Sequence, residues 1–205
     1  MIRKQVLLSI AAAGILLALV DCHSHPTPTD ASASSSPPPA YGGYASQAAW
    51  GKHLVAIAGC SDCHTPKKMT AMGPMPDTTM YLAGHPGAVP PPQINRQQIE
   101  QKGLMVTNDL SVWVGPWGIS YAANLTPDET GLGGWSESQF ITAIRQGKWK
   151  GLANSRPLLP PMSFVAAGMN QGFSDEELKA IFAYLKTIPP VHNLVPAPVA
   201  PLAAH

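Results

Sequence analysis

Two cysteines and a histidine lie within one short stretch of the chain, Cys60-Ser61-Asp62-Cys63-His64. The spacing C-x-x-C-H is typical of c-type haem attachment. Two thiols at this spacing lie on about one helical turn, so each can form a thioether with one of the haem vinyl groups. His64 then lies beneath the iron and supplies a nitrogen ligand. The motif therefore predicts one covalently bound haem c.

Three other uses of the same residues remain open at this point. A zinc site built on Cys60, Cys63 and His64 would need further ligands, and the folded part of the sequence offers no third cysteine. A thioredoxin-like redox motif would need a βαβ context, which the pattern of the chain does not indicate. A disulfide between Cys60 and Cys63 would close only a very small loop.

Met162 is the candidate for the second axial ligand, in the sequence Leu159-Pro160-Pro161-Met162-Ser163-Phe164. Because prolines fix φ and remove backbone donors, this stretch predicts a stiff, extended loop that can hold a sulfur against the iron. The alternative is that Met162 packs in the core, as methionine often does. Other side chains that would suit the position are those of Met69, Met72, Met75, Met80, His53 and His85.

Three helices must position these groups. The first is predicted from about residue 47 to residue 59, where apolar residues recur at helical spacing. The second begins at Ser136, which forms a capping box with Gln139, and ends at Gly147. The third begins at a capping box of Ser174 and Glu177, and Pro189 ends it.

The segment 65–123 is rich in glycine and proline and has little helical periodicity. We expect it to be a loop-rich insertion with one short helix near 93–103, and no strand pattern predicts a sheet. A compact domain seldom carries so long a loop without a function for it.

The two ends of the chain differ in composition from the middle. Arg3 and Lys4 precede fifteen mostly apolar residues, 6–20, which suit an export signal better than a membrane span of about 20 residues. We therefore predict a signal peptide over 1–21 and a location in the periplasm or cell envelope. Cys22 lies where a lipoprotein signal would place its lipidated cysteine, which would anchor the protein to a membrane; an ordinary cleaved signal and an uncleaved anchor are the alternatives.

Composition also defines the remaining boundaries. Residues 22–45 are predicted to be a flexible Ser/Pro-rich linker, 46–192 the folded domain, and 193–205 a Pro-rich tail. The chain has 13 Lys and Arg residues against 12 Asp and Glu, a net charge of +1. Because positive and negative charges are almost equal in number, the composition gives no indication of a basic surface for nucleic acid.

Several motifs occur together in a familiar order. Gly51-Lys52-His53-Leu54 precedes the C-x-x-C-H motif and is followed by Asn124-Leu125-Thr126-Pro127-Asp128, Gly133-Gly134-Trp135-Ser136, Pro160-Pro161-Met162 and Ser174-Asp175-Glu176-Glu177-Leu178. Together they span most of 46–190. On these motifs the chain resembles bacterial class I c-type cytochromes with one haem, of the kind associated with periplasmic dehydrogenases.

The resemblance implies an all-α fold in which the N-terminal and C-terminal helices cross, with Gly51 and Tyr184 at the crossing. It also implies His64 and Met162 as the axial ligands. The chain departs from the family in two respects. Ser163 stands where many relatives have proline, and the insertion 65–123 exceeds a minimal class I domain.

The expected function is electron transfer rather than catalysis, with a dehydrogenase, an oxidase or another cytochrome as the redox partner. Both axial positions of the iron would stay filled, so no substrate would need to reach the metal. The alternative is a peroxidase-like haem enzyme or a gas-binding sensor with a displaceable sixth ligand, for which His85 is the only candidate distal group in the insertion.

Four further residues are candidates for contact with the haem. Arg156 would pair with a haem propionate through its planar guanidinium, or would be a solvated loop residue. Trp113, Trp117 and Trp135 would line the haem pocket, or would pack as ordinary core residues.

Overall fold

The structure is a computed structural model, and it describes residues 40–202. The predicted signal peptide, the lipidation of Cys22 and the first part of the predicted linker lie outside the described residues. Within them, no helix has the length and apolar character needed to cross a membrane.

Six helices and four short strands make up the described part of the chain. In chain order they are α1 (Gln47–Ile57), α2 (Cys60–His64), β1 (Lys67–Thr70), β2 (Gly73–Pro76), α3 (Arg96–Gln101), β3 (Val112–Gly115), β4 (Gly118–Tyr121), α4 (Glu137–Gln146), α5 (Met162–Gly172) and α6 (Asp175–Leu185). Single 3-10 turns occur at Ala40–Gly43, Thr78–Met80 and Trp149–Gly151.

The first and last helices cross closely, as expected from the resemblance. At the crossing a Cβ atom on Gly51 would lie 1.8 Å from the Ala180 carbonyl oxygen and 2.9 Å from the Cβ of Tyr184. Only a residue without a side chain therefore allows α1 to approach α6 this closely. The expected pairing of Gly51 with Tyr184 at the crossing is confirmed.

The three predicted helices are confirmed, and both capping boxes form. In α4 the Ser136 hydroxyl accepts a hydrogen bond from the Gln139 amide, and Gly147 ends the helix with a φ of 60°. In α6 the Ser174 hydroxyl accepts from the Glu177 amide in the same way. The apolar faces of these helices turn inward, where the rings of Phe140 and Phe182 lie 5.5 Å apart.

These helices enclose the main core. Its fully or nearly fully buried side chains come from α1, α4, α5 and α6 and from three loops, and include Leu54, Val55, Leu82, Leu132, Ile144, Met169, Leu178, Ile181 and Leu185. Burying large aliphatic side chains is worth about 1.5–3 kcal/mol each, so this cluster is the principal source of stability.

The expectation of a stiff, extended loop through Met162 is wrong in part. Helix α5 begins at Met162, and Pro161 precedes it as the N-cap residue with helical dihedral angles. Proline is well tolerated at the start of a helix, because the N–H that it lacks has no partner in the first turn.

The insertion contains strands, so the all-α prediction is wrong for this segment. Strands β1 and β2 form one antiparallel hairpin, and β3 and β4 form a second. The β3–β4 hairpin buries Val112, Val114 and Ile119 in a small core of its own. Each strand has only four residues, too few for alternation of polar and apolar residues to be recognised in the sequence. The predicted short helix near 93–103 is present as α3.

Residues 193–202 lie along this insertion, although their composition resembles that of the linker. Val199 exchanges two backbone hydrogen bonds with Ile119 of β4, at 2.9 and 3.0 Å. The Arg96 guanidinium donates to the Ala200 carbonyl. The Asn193 side chain donates to the carbonyls of Ala83 and His85.

Candidate haem site

The C-x-x-C-H motif forms a short helix of its own. Helix α1 ends at Ile57, and Gly59 then adopts a left-handed conformation with a φ of 64° before α2 begins at Cys60. This reversal separates the two helices, because a left-handed residue cannot continue α1. The side chains of Cys60 and Cys63 therefore start from one turn of α2, and both are free thiols.

The two thiols lie in an environment that disfavours the thiolate. Burial raises the pKa of the Cys60 thiol to about 11, and it also raises the pKa of Cys63. Thiols used in disulfide exchange usually have a lowered pKa. The surroundings of this pair are therefore unlike those of a thioredoxin-like redox motif.

The ring of His64 is held by a single strong hydrogen bond. Its Nδ1 lies 2.7 Å from the Ala123 carbonyl oxygen. A carbonyl can only accept, so Nδ1 carries the proton and Nε2 carries the lone pair. Burial lowers the pKa of His64, which favours this neutral form. Metal-ligating histidines commonly have their second nitrogen fixed by a backbone carbonyl in this way.

Backbone contacts also fix the end of α2. The His64 carbonyl accepts from the Gly84 amide at 2.7 Å, and the buried hydroxyl of Thr65 accepts from the Leu82 amide at 3.0 Å. The Lys67 ammonium donates to the carbonyls of Asp62 and Thr65. A cation at the C-terminal end of a helix is favoured by the helix dipole, so Lys67 stabilises the turn that carries the motif.

Met162 packs against the same core as Cys60. Both side chains are partly buried and both contact the main core. A hydrogen bond links the backbone just before Met162 to the insertion: the Ser120 hydroxyl donates to the Pro160 carbonyl at 2.6 Å. That hydroxyl in turn accepts from the indole N–H of Trp117 at 3.0 Å.

The other possible axial ligands are arranged differently. Met69, Met72 and Met75 lie on the β1–β2 hairpin and are 80%, 90% and 50% exposed. The exposed ring of His53 stacks on Tyr44. His85 is buried, and its two ring nitrogens lie 2.9 Å from the Ser111 hydroxyl and from the Val89 carbonyl. His85 thus has the contacts of a structural residue.

Arg156 lies beside an exposed aromatic ring. Its guanidinium is centred 5.0 Å from the Trp149 ring and donates to the Pro157 carbonyl at 3.0 Å. Burial lowers the pKa of Arg156. The described contacts give this guanidinium one acceptor, which leaves donors for an anion.

The three tryptophans predicted near the haem, Trp113, Trp117 and Trp135, make different contacts. The indole N–H of Trp113 donates to the Leu110 carbonyl at 2.8 Å, that of Trp117 donates to Ser120, and Trp135 packs against the main core. Over residues 40–202, no group of three or more His, Cys, Asp or Glu side chains is placed to bind a metal ion.

Sequence reasoning missed Ala123 and Ser120. Ala123 acts through its backbone carbonyl, which every residue possesses, so no sequence signal exists for it. Ser120 lies in a strand that the sequence did not predict.

Comparison with known proteins gives a consistent result. Over 150 residues the chain is 29% identical to the cytochrome c subunit of a quinone alcohol dehydrogenase of Gluconobacter oxydans, which covers 71% of this chain and 24% of the relative. Over 82 residues it is 34% identical to the cytochrome c subunit of gluconate 2-dehydrogenase of Pantoea cypripedii, covering 40% of this chain and 16% of the relative. The chain is thus related to the cytochrome c subunits of dehydrogenases. The resemblance expected from the sequence is confirmed.

A further relative is named as part of a dehydrogenase without being named as a cytochrome. It is one of the subunits of the nicotinate dehydrogenase of Pseudomonas putida, 36% identical over 83 residues, which cover 40% of this chain and 6% of the relative. The chain spans a quarter or less of the length of each of these three relatives. No protein family model matches it.

Proposed function

We propose that this chain is an electron carrier with one haem c, bound covalently through Cys60 and Cys63 and ligated by His64 and Met162. The observation that carries the proposal is the C-x-x-C-H motif on α2, with the ring of His64 held by the Ala123 carbonyl. This bond leaves Nε2 of His64 as the nitrogen with a free lone pair.

The donor set of the described residues fits this cofactor. Two free thiols start from one helical turn next to an oriented, neutral imidazole. The thioether of Met162 packs against the same core as Cys60. Thiols, imidazole and thioether are the groups by which c-type haem is attached and ligated.

The ligands determine what such a site does. Haem c, when bound, supplies an iron that gains and loses one electron. A thioether from Met162 favours the reduced ion and raises the reduction potential, and the apolar surroundings of the core add to this effect. If His64 and Met162 both ligate the iron, no coordination site would be left for a substrate, which would suit an electron carrier rather than an enzyme.

Contacts of His85 weigh against the peroxidase-like alternative. Such an enzyme needs an acid–base group beside an open sixth position. Both nitrogens of His85 are hydrogen-bonded to protein groups. Carbon monoxide separates the two functions, since a carrier with two protein ligands should bind it poorly and an enzyme or gas sensor should bind it rapidly and stoichiometrically.

We propose Arg156 as the partner of a haem propionate. Its guanidinium has donors left after its bond to Pro157, and a planar guanidinium pairs well with a carboxylate. A nearby guanidinium cation stabilises the ferrous form, which carries one positive charge less than the ferric form. Replacing Arg156 by Gln should therefore lower the midpoint potential. An unchanged potential would leave Arg156 as a residue that merely stacks on Trp149.

The partner and location follow from the relatives and from the predicted signal. Because the relatives are named as subunits of dehydrogenases, we propose a dehydrogenase as electron donor, in the periplasm or cell envelope. Lipidation of Cys22 would add attachment to a membrane surface.

The decisive experiment is attachment of haem to the exported protein. Purified protein should keep haem through a denaturing gel and should show the added mass of one porphyrin. The variant Cys60→Ala/Cys63→Ala should lose both signals, whereas Ser61→Ala, at a variable position of the motif, should retain them. Absence of porphyrin mass from the mature wild-type protein would refute the proposal.

A further inference from the structure

Ser120 on strand β4 connects the insertion to the segment that carries Met162. The side chain is buried, with 8% of its surface exposed. Its hydroxyl donates to the Pro160 carbonyl at 2.6 Å and accepts from the Trp117 indole at 3.0 Å. A hydroxyl has one donor, so the bond from Trp117 leaves its proton directed toward Pro160.

The same segment of the insertion reaches the other axial ligand. Three residues after Ser120, the Ala123 carbonyl accepts from His64 at 2.7 Å. The stretch 120–123 therefore contacts the ring of one proposed ligand and the backbone two residues before the other. This stretch therefore connects the His64 side of the candidate site directly to the Met162 side through hydrogen bonds that do not involve the main core.

Pro160 is a position where an external hydrogen bond matters. Pro160 and Pro161 have no backbone N–H, so the chain here cannot be held by donors of its own. The carbonyls on either side of Pro160 are bonded within the same segment: that of Leu159 accepts from the Ser163 amide at 3.1 Å, and that of Pro161 accepts from the Phe164 amide at 2.9 Å. The bond from Ser120 instead ties the Pro160 carbonyl to the insertion.

We propose that Ser120, oriented by Trp117, is a positioning residue that holds the Met162 segment against the iron. This inference rests on the proposed function. It assigns a role to the β3–β4 hairpin of the insertion: the hairpin sets how firmly the Met162 sulfur occupies its position.

The test is a titration of the ferric holoprotein with imidazole, which competes with the Met162 sulfur. Loss of one hydrogen bond of about 1 kcal/mol corresponds to about a fivefold change in equilibrium. The variant Ser120→Ala should therefore bind imidazole about fivefold more tightly than wild type, because moving the Met162 segment away from the iron no longer breaks the hydrogen bond to Ser120. Ser120→Thr keeps the hydroxyl and should restore wild-type affinity.

Ser111→Ala is the matched control. Ser111 directly precedes β3 in the same insertion, is fully buried, and bonds to Asp109 and His85 rather than to the Met162 segment. Ser111→Ala should leave the imidazole affinity within about twofold of wild type. A change of that size corresponds to a free energy well below that of one hydrogen bond. A general loosening of the insertion would instead move both serine variants alike and would overturn the proposal.

Met162→Ala distinguishes failure of the positioning role of Ser120 from failure of the proposed ligation. If this variant loses the sulfur-to-iron absorption band and binds imidazole tightly, whereas Ser120→Ala binds it as wild type does, the positioning role is wrong and the proposed ligation stands. If Met162→Ala changes neither property, the ligation itself is wrong and the inference fails with it. Should Ser120→Ala not fold, Trp117→Phe decides, since it removes the indole donor while keeping an aromatic ring. Unchanged imidazole affinity in that variant would overturn the proposal.

Discussion

A Cβ atom on Gly51 would lie 1.8 Å from the carbonyl oxygen of Ala180, where α1 crosses α6. Because that oxygen belongs to a helix backbone, no rotation of a side chain can relieve the clash. Helix α1 leads directly to Gly59 and the C-x-x-C-H turn. The crossing therefore sets the position of the motif relative to the core.

Replacing Gly51 by Ala should therefore destabilise the protein strongly. We expect a loss of about 3 kcal/mol or more in the free energy of unfolding, at the upper end of overpacking effects. The control is Gly168→Ala in α5, where no atom lies within 4 Å of the added methyl group. That variant should gain about 0.5–1 kcal/mol from reduced chain entropy. Urea denaturation measures both, and equal stability of the two variants would contradict the close crossing.

Met162→Ala tests the sixth ligand. The variant should lose the sulfur-to-iron absorption band, and its midpoint potential should fall because a thioether favours the reduced ion. Each tenfold loss of that preference lowers the potential by about 59 mV. Potentiometric titration and absorption spectra of the ferric protein measure these effects.

The control for this variant is Met169→Leu in the same helix. Met169 is buried in the main core at 8% exposure, and a swap of similar volume usually costs less than about 1.5 kcal/mol. It should leave the band and the potential unchanged. Survival of the band in Met162→Ala would assign the sulfur to another methionine.

Local sequence signals were sufficient for much of the fold. The two capping boxes and Gly147 predicted both ends of α4 and the start of α6, because a cap depends only on residues within one turn. Helix α5 was missed for the same reason. It has no side-chain cap, and because Phe164 and Val165 are exposed while Ala166 and Met169 are buried, its apolar residues are not confined to one face.

The candidate site was predictable only where its residues are neighbours in sequence. Cys60, Cys63 and His64 form one motif, so their proximity needed no knowledge of the fold. The partner of His64 is a backbone carbonyl 59 residues away. That contact depends on how the insertion folds, and strands of four residues give too short a pattern to reveal it.

Asp77 should make stability depend on pH in the acid range. Hydrogen bonds from Thr79, at 3.0 and 2.6 Å, and the Lys68 ammonium at 2.9 Å hold the pKa of Asp77 below its ordinary value of 3.8. Its contribution is therefore fully present above pH 3.8 and is lost as the pH falls through the lower value of the folded state.

Asp77→Asn isolates this charge, since the amide oxygen can still accept from Thr79. Wild type should be more stable than the variant near neutral pH, and the difference should shrink as the pH falls below 3.8 and the carboxylate becomes protonated. Urea denaturation over this pH range measures it. A difference that grows in acid would show that the pKa of Asp77 is raised rather than lowered.

Asn193 should be essential for holding residues 193–202 to the domain. Its buried amide donates to the carbonyls of Ala83 and His85 at 2.7 and 2.9 Å and accepts from the Gly87 amide at 2.9 Å. Asn193→Ala leaves all three backbone groups without this partner. Because the two carbonyls are buried and each buried unpaired group costs about 1–3 kcal/mol, we expect a loss of about 2 kcal/mol or more.

Asn193→Asp distinguishes hydrogen bonding from simple packing. The carboxylate keeps the volume and the acceptor for Gly87, but it has no donor for the two carbonyls and places a negative charge against them. It should therefore destabilise the protein at least as much as Asn193→Ala, while Asn154→Ala on an exposed loop should have little effect. If Asn193→Asp were as stable as wild type in urea denaturation, the amide donors would contribute nothing, and packing alone would hold residues 193–202 in place.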